Sequence, residues 1–356
     1  VDLLYLLDAW KWFGRHTGYS LVVEGMGSRG DVVPARRSAG GNLLNAIGAR
    51  LHAWSHQGAW CCAGRDRESE EIFLARWEQR PEAVGHVLFY ERHHPLFQRW
   101  RRAPANLITT IHHPAGQMGE WHAAVREDLG RISSAIVLYQ RDLDFFEKRV
   151  GRGRVRFIRH GVDTEFFRPA PEPPEDTRRL LFVGVNGRNL AMLRRVVLRL
   201  AGAHPGLRFD LLVPSLRAKP RERLRLAGLW RHPQVTWHAG LSDEGLRALY
   251  QASYLLLLPL THAAACNAVV EALACGRPVV TTDVGGVRDY GGGTVCPVVP
   301  NDDDNGMVEL VERYLAEPHW HRQVAAGCRR FAEEALCWSR IREAHLKAYV
   351  ELGSGC

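Results

Sequence analysis

The stretch YLLLLPLTHAAACNAVVEALACGRPVVTTDVGG, residues 254–286, decides how this chain folds. An apolar run of strand length ends at Pro259 and Leu260, small residues follow, and a helical pattern opens at about Asn267 and closes at Cys275 and Gly276. PVVTTD (278–283) then reads as a second strand and Val284, Gly285 and Gly286 as a glycine loop, so the segment is strand, helix, strand. One carboxylate, Glu271, stands inside it among Ala, Val, Leu and Cys. A buried charge without a partner is costly, so Glu271 lies either on the wet side of its helix or opposite something polar. Asn267 and Glu271 are four apart and share one face, with Val269, Val270 and Leu273 forming the apolar side.

The same alternation runs outward in both directions. Upstream, DLLYLLD (2–8), VGHVLFY (84–90), NLITTIH (106–112), SAIVLY (134–139) and RVRFIRH (154–160) are strand candidates, with helical stretches such as MGEWHAAVREDLGRI and QRDLDFFEKRV between them. FRPAPEPPEDTRR, with Pro169, Pro171, Pro173 and Pro174, has linker composition. A second series follows: RLLFVG (179–184), FDLLVP (209–214), QVTWHAG (234–240), YLLLLPL (254–260), PVVTTD and TVCPVVP (294–300), one of its helices opened by Ser242 as N-cap with Asp243 and Glu244 in the first turn. The fold class is therefore α/β: two doubly wound, Rossmann-like domains in tandem, 1–165 and 166–335, facing across a cleft. Gly, Arg and Trp break any period between about Asp31 and Arg67, and the topology there stays open.

Composition limits what such a chain can be. At 356 residues, 46% hydrophobic and 24% charged, it has ordinary globular composition and room for two cores. No run approaches the ~18 consecutive apolar residues of a membrane span. VDLLYLLDAW lacks the basic leader and small-residue cleavage site of a signal peptide, so a soluble, cytoplasmic protein is expected. The eight cysteines are scattered, and the adjacent Cys61 and Cys62 have neither zinc nor redox spacing, which favours reduced structural thiols. A net charge of +8, carried almost wholly by arginine, favours anionic partners: phosphates, nucleic acid or acidic lipid.

Ligands of open parallel sheets bind beyond the carboxyl ends of the strands, so chemistry is sought in the loops there. KWFGRHTGYS follows the first strand, and Gly14 and Gly18 flank Arg15 and His16; such a loop either lets N–H groups approach an anion or is a plain tight turn. NLITT is followed by IHHP, which puts His112 and His113 at a strand end, where an imidazole either donates to a sugar hydroxyl or departing oxygen or is a satisfied structural group. ERHHP (91–95) has the same residue types and reads as surface. FVGVNGRN (182–189) places Arg188 near a helix start, where guanidinium and N–H groups converge on a diphosphate. In the opening stretch, the amides of Cys266, Asn267 and Ala268 suit a phosphate and Glu271, one turn on, suits a pair of ribose hydroxyls, with the loop of Gly285 and Gly286 at the same sheet edge. NDDDN (301–305) reads as the start of a helix, where acids suit the dipole, rather than as a metal site.

HGVDTEFFRP (160–169), residues 254–286 and CWSRIREAHLKAY (337–349) together resemble the family 4 glycosyltransferases, with EALACGRPVVTTDVGG the most specific element. The resemblance implies the GT-B fold, a final helix at 336–356 packing back on the first domain, and retaining transfer of a sugar from a nucleotide donor to an acceptor hydroxyl. It implies a donor lodged chiefly in the second domain and acceptor contacts from the first, with no cofactor and no metal, since the nucleotide sugar is a co-substrate. The family signature has two glutamates; the second, which holds the donor's ribose, matches Glu271, whereas the first falls on Ala263. The family's Arg after the first strand of the second domain falls on Val185, leaving Arg188 nearby, while Gly14 and His112 resemble a glycine near the donor phosphate and a histidine near the transferred sugar.

Breaking a sugar–diphosphate bond develops charge that Arg188, the 266–268 amides, Gly14 and Arg15 would stabilise. The acceptor is a small molecule, a glycan or a lipid-linked molecule, the last entailing peripheral membrane contact, and nucleic acid is not expected. The alternative is a basic protein that binds nucleic acid or anionic membrane through Arg195, Arg199, Arg221, Arg223 and Arg225, although their spacing also fits solvated helix faces. A nicotinamide-dependent dehydrogenase is disfavoured, because no G-x-G-x-x-G follows the first strand.

Overall fold

The apolar runs fold into two parallel sheets of six strands each. In a computed structural model the described residues are 1–8, 14–26, 30–35, 66–116, 123–171, 178–213 and 224–353. The strands are β1 Leu3–Asp8, β2 Gly30–Ala35, β3 Val84–Val87, β4 Leu107–Ile111, β5 Ser134–Val137 and β6 Val155–Phe157, then β7 Arg179–Val183, β8 Arg208–Leu212, β9 Val235–His238, β10 Leu255–Leu258, β11 Val279–Thr282 and β12 Val298–Val299. Helices of eight or more residues are α1 Arg67–Glu78, α2 Leu143–Val150, α3 Leu190–Ala203, α4 Asp243–Ala252, α5 Asn267–Ala274, α6 Asp304–Ala316, α7 Pro318–Phe331 and α8 Trp338–Gly353.

By contacts the chain forms two compact units: Val1–Trp12, Tyr19–His160 and Ile341–Cys356 in the first, Phe13–Gly18 and Gly161–Arg340 in the second. The first sheet runs β2-β1-β3-β4-β5-β6. Its strands β3, β4 and β5 are buried along their whole length, as expected where helices cover both faces of a parallel sheet. The C-terminal part of α8 belongs to this unit: the Arg342 guanidinium donates to the Leu21 carbonyl at 2.7 Å, and Tyr349 and His345 are fully buried.

The second sheet runs β12-β11-β10-β7-β8-β9, a Rossmann order whose reversal falls between β7 and β10. Leu255 there lies opposite Leu180, and Leu256 of the same strand lies opposite Val279 of β11. One core cluster fills this unit, with Leu181, Phe182, Val196, Leu256 and Leu258 all at zero exposure. Ser242 caps α4 by accepting from the Gly245 N–H, and Asp303 caps α6 by accepting from the Gly306 N–H, so NDDDN does open a helix. Within that run Asp302 accepts from the Asn189 side chain and Asp304 from Arg195, while Asn305 accepts from Arg199.

Residues 36–65, Cys61 and Cys62, Pro173 and Pro174, and Arg221 and Arg223 lie outside the described residues. β2 falls at the edge of the stretch whose topology the sequence left open. Among the described residues no helix is long and apolar enough to cross a membrane.

Candidate functional site

Beyond the carboxyl ends of β7, β10 and β11, three loops of the second unit are knitted together. The Asn189 N–H donates to the Pro259 carbonyl at 2.8 Å and the Thr261 N–H to the Gly187 carbonyl at 2.9 Å, joining the first two loops at the point where strand order reverses. The Gly286 N–H donates to the Ala263 carbonyl at 2.9 Å, bringing in the third. Gly285 has φ +52, and a Cβ there would lie 1.8 Å from the Ala263 oxygen, so the glycine permits contact between loops. Gly286, expected beside a ligand, has its N–H engaged by the Ala263 carbonyl. Gly285→Ala is expected to cost at least about 2 kcal/mol, from left-handed strain and displacement of that carbonyl. Urea unfolding measures this, and a change under ~0.5 kcal/mol, the range of an unremarkable surface substitution, would contradict it.

α5 begins in this knot. Cys266 precedes it in extended conformation and contributes no side-chain cap, which leaves the first helical N–H groups, of Asn267 and Ala268, at an uncapped positive end. The helix is apolar nearly all round, and Ala268 to Ala274 are all buried. Glu271 therefore has no wet side: it is 3% exposed. Its Oε2 accepts from the Tyr250 hydroxyl of α4 at 2.9 Å and its Oε1 from the Thr17 hydroxyl at 3.1 Å. Burial raises its pKa to about 7, against the two hydroxyls and Arg188, which favour the charged form. The polar partner that the sequence argument sought outside the protein is thus supplied in part by two protein hydroxyls, and the carboxylate keeps lone pairs for more.

The segment bearing Thr17 belongs to the second unit. His16 Nδ1 meets Asp163 Oδ2 at 2.7 Å, its ring stacks on Phe166 at 3.7 Å, and its N–H donates to Asp243 at 3.1 Å. Asp163 Oδ1 also accepts the N–H groups of Glu165 and Phe166, so this one carboxylate shapes the HGVDTEFF turn and anchors His16. Gly14 lies against Asp243, where a Cβ would come within 1.6 Å of Oδ1, and Arg15 is exposed. The glycine at 14 is thus required by a protein carboxylate, which the sequence reading did not anticipate.

Arg188 precedes the Asn189 cap of α3. Its Nε donates to the Val183 carbonyl at 3.0 Å and its Nη1 to the Asn186 carbonyl at 2.7 Å, which fixes the guanidinium across its own loop and leaves Nη2 beside Gly184.

His112 belongs to the first unit, directly after β4. Its Nε2 donates to the Leu88 carbonyl at 2.7 Å, its ring stacks on Phe89 at 4.0 Å, and Tyr19 meets it edge-on at 4.9 Å. Burial lowers its pKa to about 3. Of the two readings of His112, these contacts favour the satisfied group: Nε2–H is engaged by Leu88 and burial disfavours the charged ring, which leaves Nδ1 to accept. Behind it runs a buried chain with a fixed direction. His345 Nδ1 faces the Ile341 carbonyl at 2.8 Å and must carry hydrogen, so its Nε2 accepts from Tyr19 at 2.7 Å. Tyr19 in turn accepts from Thr110 at 3.2 Å, Thr110 from His86 Nε2 at 2.8 Å, and His86 Nδ1 from Tyr349 at 2.7 Å.

ERHHP is not surface. Glu91 Oε1 accepts the N–H groups of His112 at 2.7 Å and His113 at 2.8 Å, Arg92 pairs with Asp8, His93 lies between Asp8 at 3.3 Å and Glu70 at 2.8 Å, and His94 meets Asp128 at 2.7 Å. Arg92 and His93 are 3% and 0% exposed, because each finds a carboxylate from a distant segment.

Residues 177–317 match the family model described as Glycosyl transferases group 1. D-inositol 3-phosphate glycosyltransferase of Thermobifida fusca is 29% identical over 57% of this chain and 51% of its own length. MMP alpha-(1->4)-mannosyltransferase of Mycolicibacterium hassiacum is 26% identical over 98% of this chain and 78% of its own. The chain spans about half the length of the D-inositol 3-phosphate glycosyltransferases it matches. Among solved structures, Anabaena HepE in complex with UDP is similar with a TM-score of 0.73 at 13% identity, over 99% of this chain and 100% of that one. The fold is GT-B, an α/β fold of two domains each built on a parallel sheet.

Proposed function

We propose that this protein is a glycosyltransferase that moves a sugar from a nucleoside-diphosphate donor to an acceptor hydroxyl, with the nucleotide seated at the carboxyl edge of the second sheet. One observation carries the reading: a buried carboxyl, Glu271, stands one turn inside an uncapped helix N-terminus at the point where strand order reverses. The amides of Cys266, Asn267 and Ala268 with Arg188 Nη2 take the diphosphate, and Glu271 takes ribose hydroxyls. Gly14 and Arg15 are assigned to the phosphates, Gly285 and Gly286 to the loop beside them, and His112 of the first unit to accepting a substrate hydroxyl at Nδ1. The family match over 177–317 covers Arg188, the 266–268 amides and Glu271 and supports the reading, as do relatives named for glycosyl transfer.

The reaction is assigned a retaining course, on the resemblance of residues 254–286. The bond from the anomeric carbon to the diphosphate oxygen breaks, the bond to the acceptor oxygen forms on the same face, and the acceptor's proton passes to the departing phosphate. Protein N–H groups and Arg188 carry the charge, so the assignment calls for no metal and no cofactor. The arginine excess favours an anionic acceptor, glycan or lipid-linked, and a lipid-linked one would bring a cytoplasmic protein to the membrane surface. Against the purely nucleic-acid or membrane-binding reading, Arg195 pairs with Asp304 and Arg199 with Asn305.

A thermal-shift screen against UDP, GDP, ADP and TDP, free and as their sugars, tests the proposal. At one hundred times Kd, one of the four is expected to raise Tm by about 5 °C. Folded protein indifferent to all of them contradicts it.

A further inference from the structure

Two buried thiols in the second unit meet away from the nucleotide edge. Cys296, in the turn before β12, lies with its Sγ 3.3 Å from that of Cys328 on α7, and both are free. They are 3% and 0% exposed. Cys296 also accepts the Val279 N–H at 3.3 Å. The Val279 N–H stabilises negative charge on the Cys296 sulfur, so when one thiol of the pair ionises it is Cys296, with Cys328 donating to it. The two hydrogen bonds hold the Cys296 thiol below its usual range, against burial, while Cys328 is pushed up by donating and by burial. The Cys275 thiol of the same unit is pushed up by burial to about 12.

A cavity of about 510 Å³ is lined by Cys296, Pro297, Trp320, Val324 and Gly327. Its lining thus includes Cys296 itself and Gly327, the residue preceding Cys328. Cys296 is carried by a glycine turn, with Gly291 at φ +90 and Gly293 at φ +77, closed by the Gly293 N–H to the Cys296 carbonyl at 2.7 Å. Such a turn can yield the roughly 1.3 Å by which the two sulfurs must approach to reach a bond of about 2.05 Å.

We propose that Cys296 and Cys328 form an oxidation site, in which a small peroxide entering the cavity converts the thiol pair to an intramolecular disulfide. The Cys296 thiolate attacks the peroxide, breaking the O–O bond, gaining one oxygen as a sulfenic acid and releasing hydroxide. The Cys328 sulfur then attacks the Cys296 sulfur, forming the S–S bond; the sulfenic hydroxyl leaves as water with the Cys328 proton. With hydrogen peroxide, two thiols lose two electrons and the peroxide becomes two waters. A dithiol reverses the change by exchange. The disulfide would join the glycine turn after β11 to α7, closing a long loop. This proposal does not rest on the proposed reaction.

The full chain exposed to a small excess of hydrogen peroxide, then alkylated under denaturing conditions and mapped without reductant, tests it. The expected product is a cross-linked peptide pair holding Cys296 and Cys328, abolished by dithiothreitol, with Tm raised by about 5 °C. In Cys328→Ser, Cys296 should be labelled by a sulfenic-acid probe; in Cys296→Ser, Cys328 should stay alkylatable. Full alkylation of both cysteines in the peroxide-treated wild type would overturn the proposal, and oxidation of Cys328 undiminished in Cys296→Ser would overturn the assigned order of attack.

Discussion

Glu271→Gln is expected to make the unliganded protein more stable than wild type at pH 8 and to leave it near wild type at pH 5. The carboxyl has an ordinary pKa of 4.5 and one of about 7 in the fold, raised chiefly by burial. The folded state therefore holds its proton more tightly than the unfolded chain. This contribution to stability is complete below 4.5 and is lost as pH rises through 7, amounting to ~3 kcal/mol when the group is fully ionised. Glutamine removes the titration and keeps the contacts, since its carbonyl accepts from Tyr250 and its amide donates to the Thr17 oxygen. Unfolding curves of the two proteins between pH 5 and 8 check this, and curves that stay parallel would contradict it. The same energetics bear on binding: an ionised Glu271 is under-solvated, and a ligand that donates hydroxyls to it relieves that cost.

Arg329→Ala is expected to destabilise the protein by at least about 3 kcal/mol, because charged hydrogen bonds are lost and carbonyls are left without donors. Arg329 Nη1 lies 3.0 Å from the Thr164 carbonyl, 3.0 Å from that of Phe167 and 2.8 Å from that of Ala274, the last residue of α5. One cation thus closes the C-terminus of the helix that bears Glu271 and holds the HGVDTEFF turn against it. Lysine, with a point charge in place of a fork, should recover only part of the loss. Denaturant titration of the three proteins checks the order, and a loss under 1 kcal/mol in the alanine variant would contradict it.

Strands were legible where the sequence carries a local signal. Eleven of the twelve coincide with apolar runs bounded by Gly, Pro or polar residues. β2, GDVVPA, was missed because Gly30 and Pro34 speak against a strand, yet β2 sits at the sheet edge, where Pro34 is tolerated. The cap Ser242, the helix opened by NDDDN and the start of α5 were likewise local matters.

What could not be read is pairing over distance. Thr17 lies 254 residues from Glu271, and Tyr250 is one aromatic on an amphipathic helix, with nothing in the sequence to mark either as a carboxylate's partner. Asp163 and His16 are 147 residues apart. ERHHP reads as surface by composition and is buried because Asp8, Glu70 and Asp128 converge on it. The protonation of His112 was equally hidden, since the Leu88 carbonyl and the burial that set it belong to the folded state.

The assignment of Glu271 to a ribose is open to one direct measurement. For whichever nucleoside diphosphate the protein binds best, calorimetric affinity is compared with that of its 2′,3′-dideoxy analogue, in wild type and in Glu271→Gln. Loss of both hydroxyls should weaken binding to the wild type by about 100-fold, roughly two charge-assisted hydrogen bonds at ~1.4 kcal/mol each, and weaken binding to the variant far less. Equal affinity of the wild type for both nucleotides would contradict the assignment.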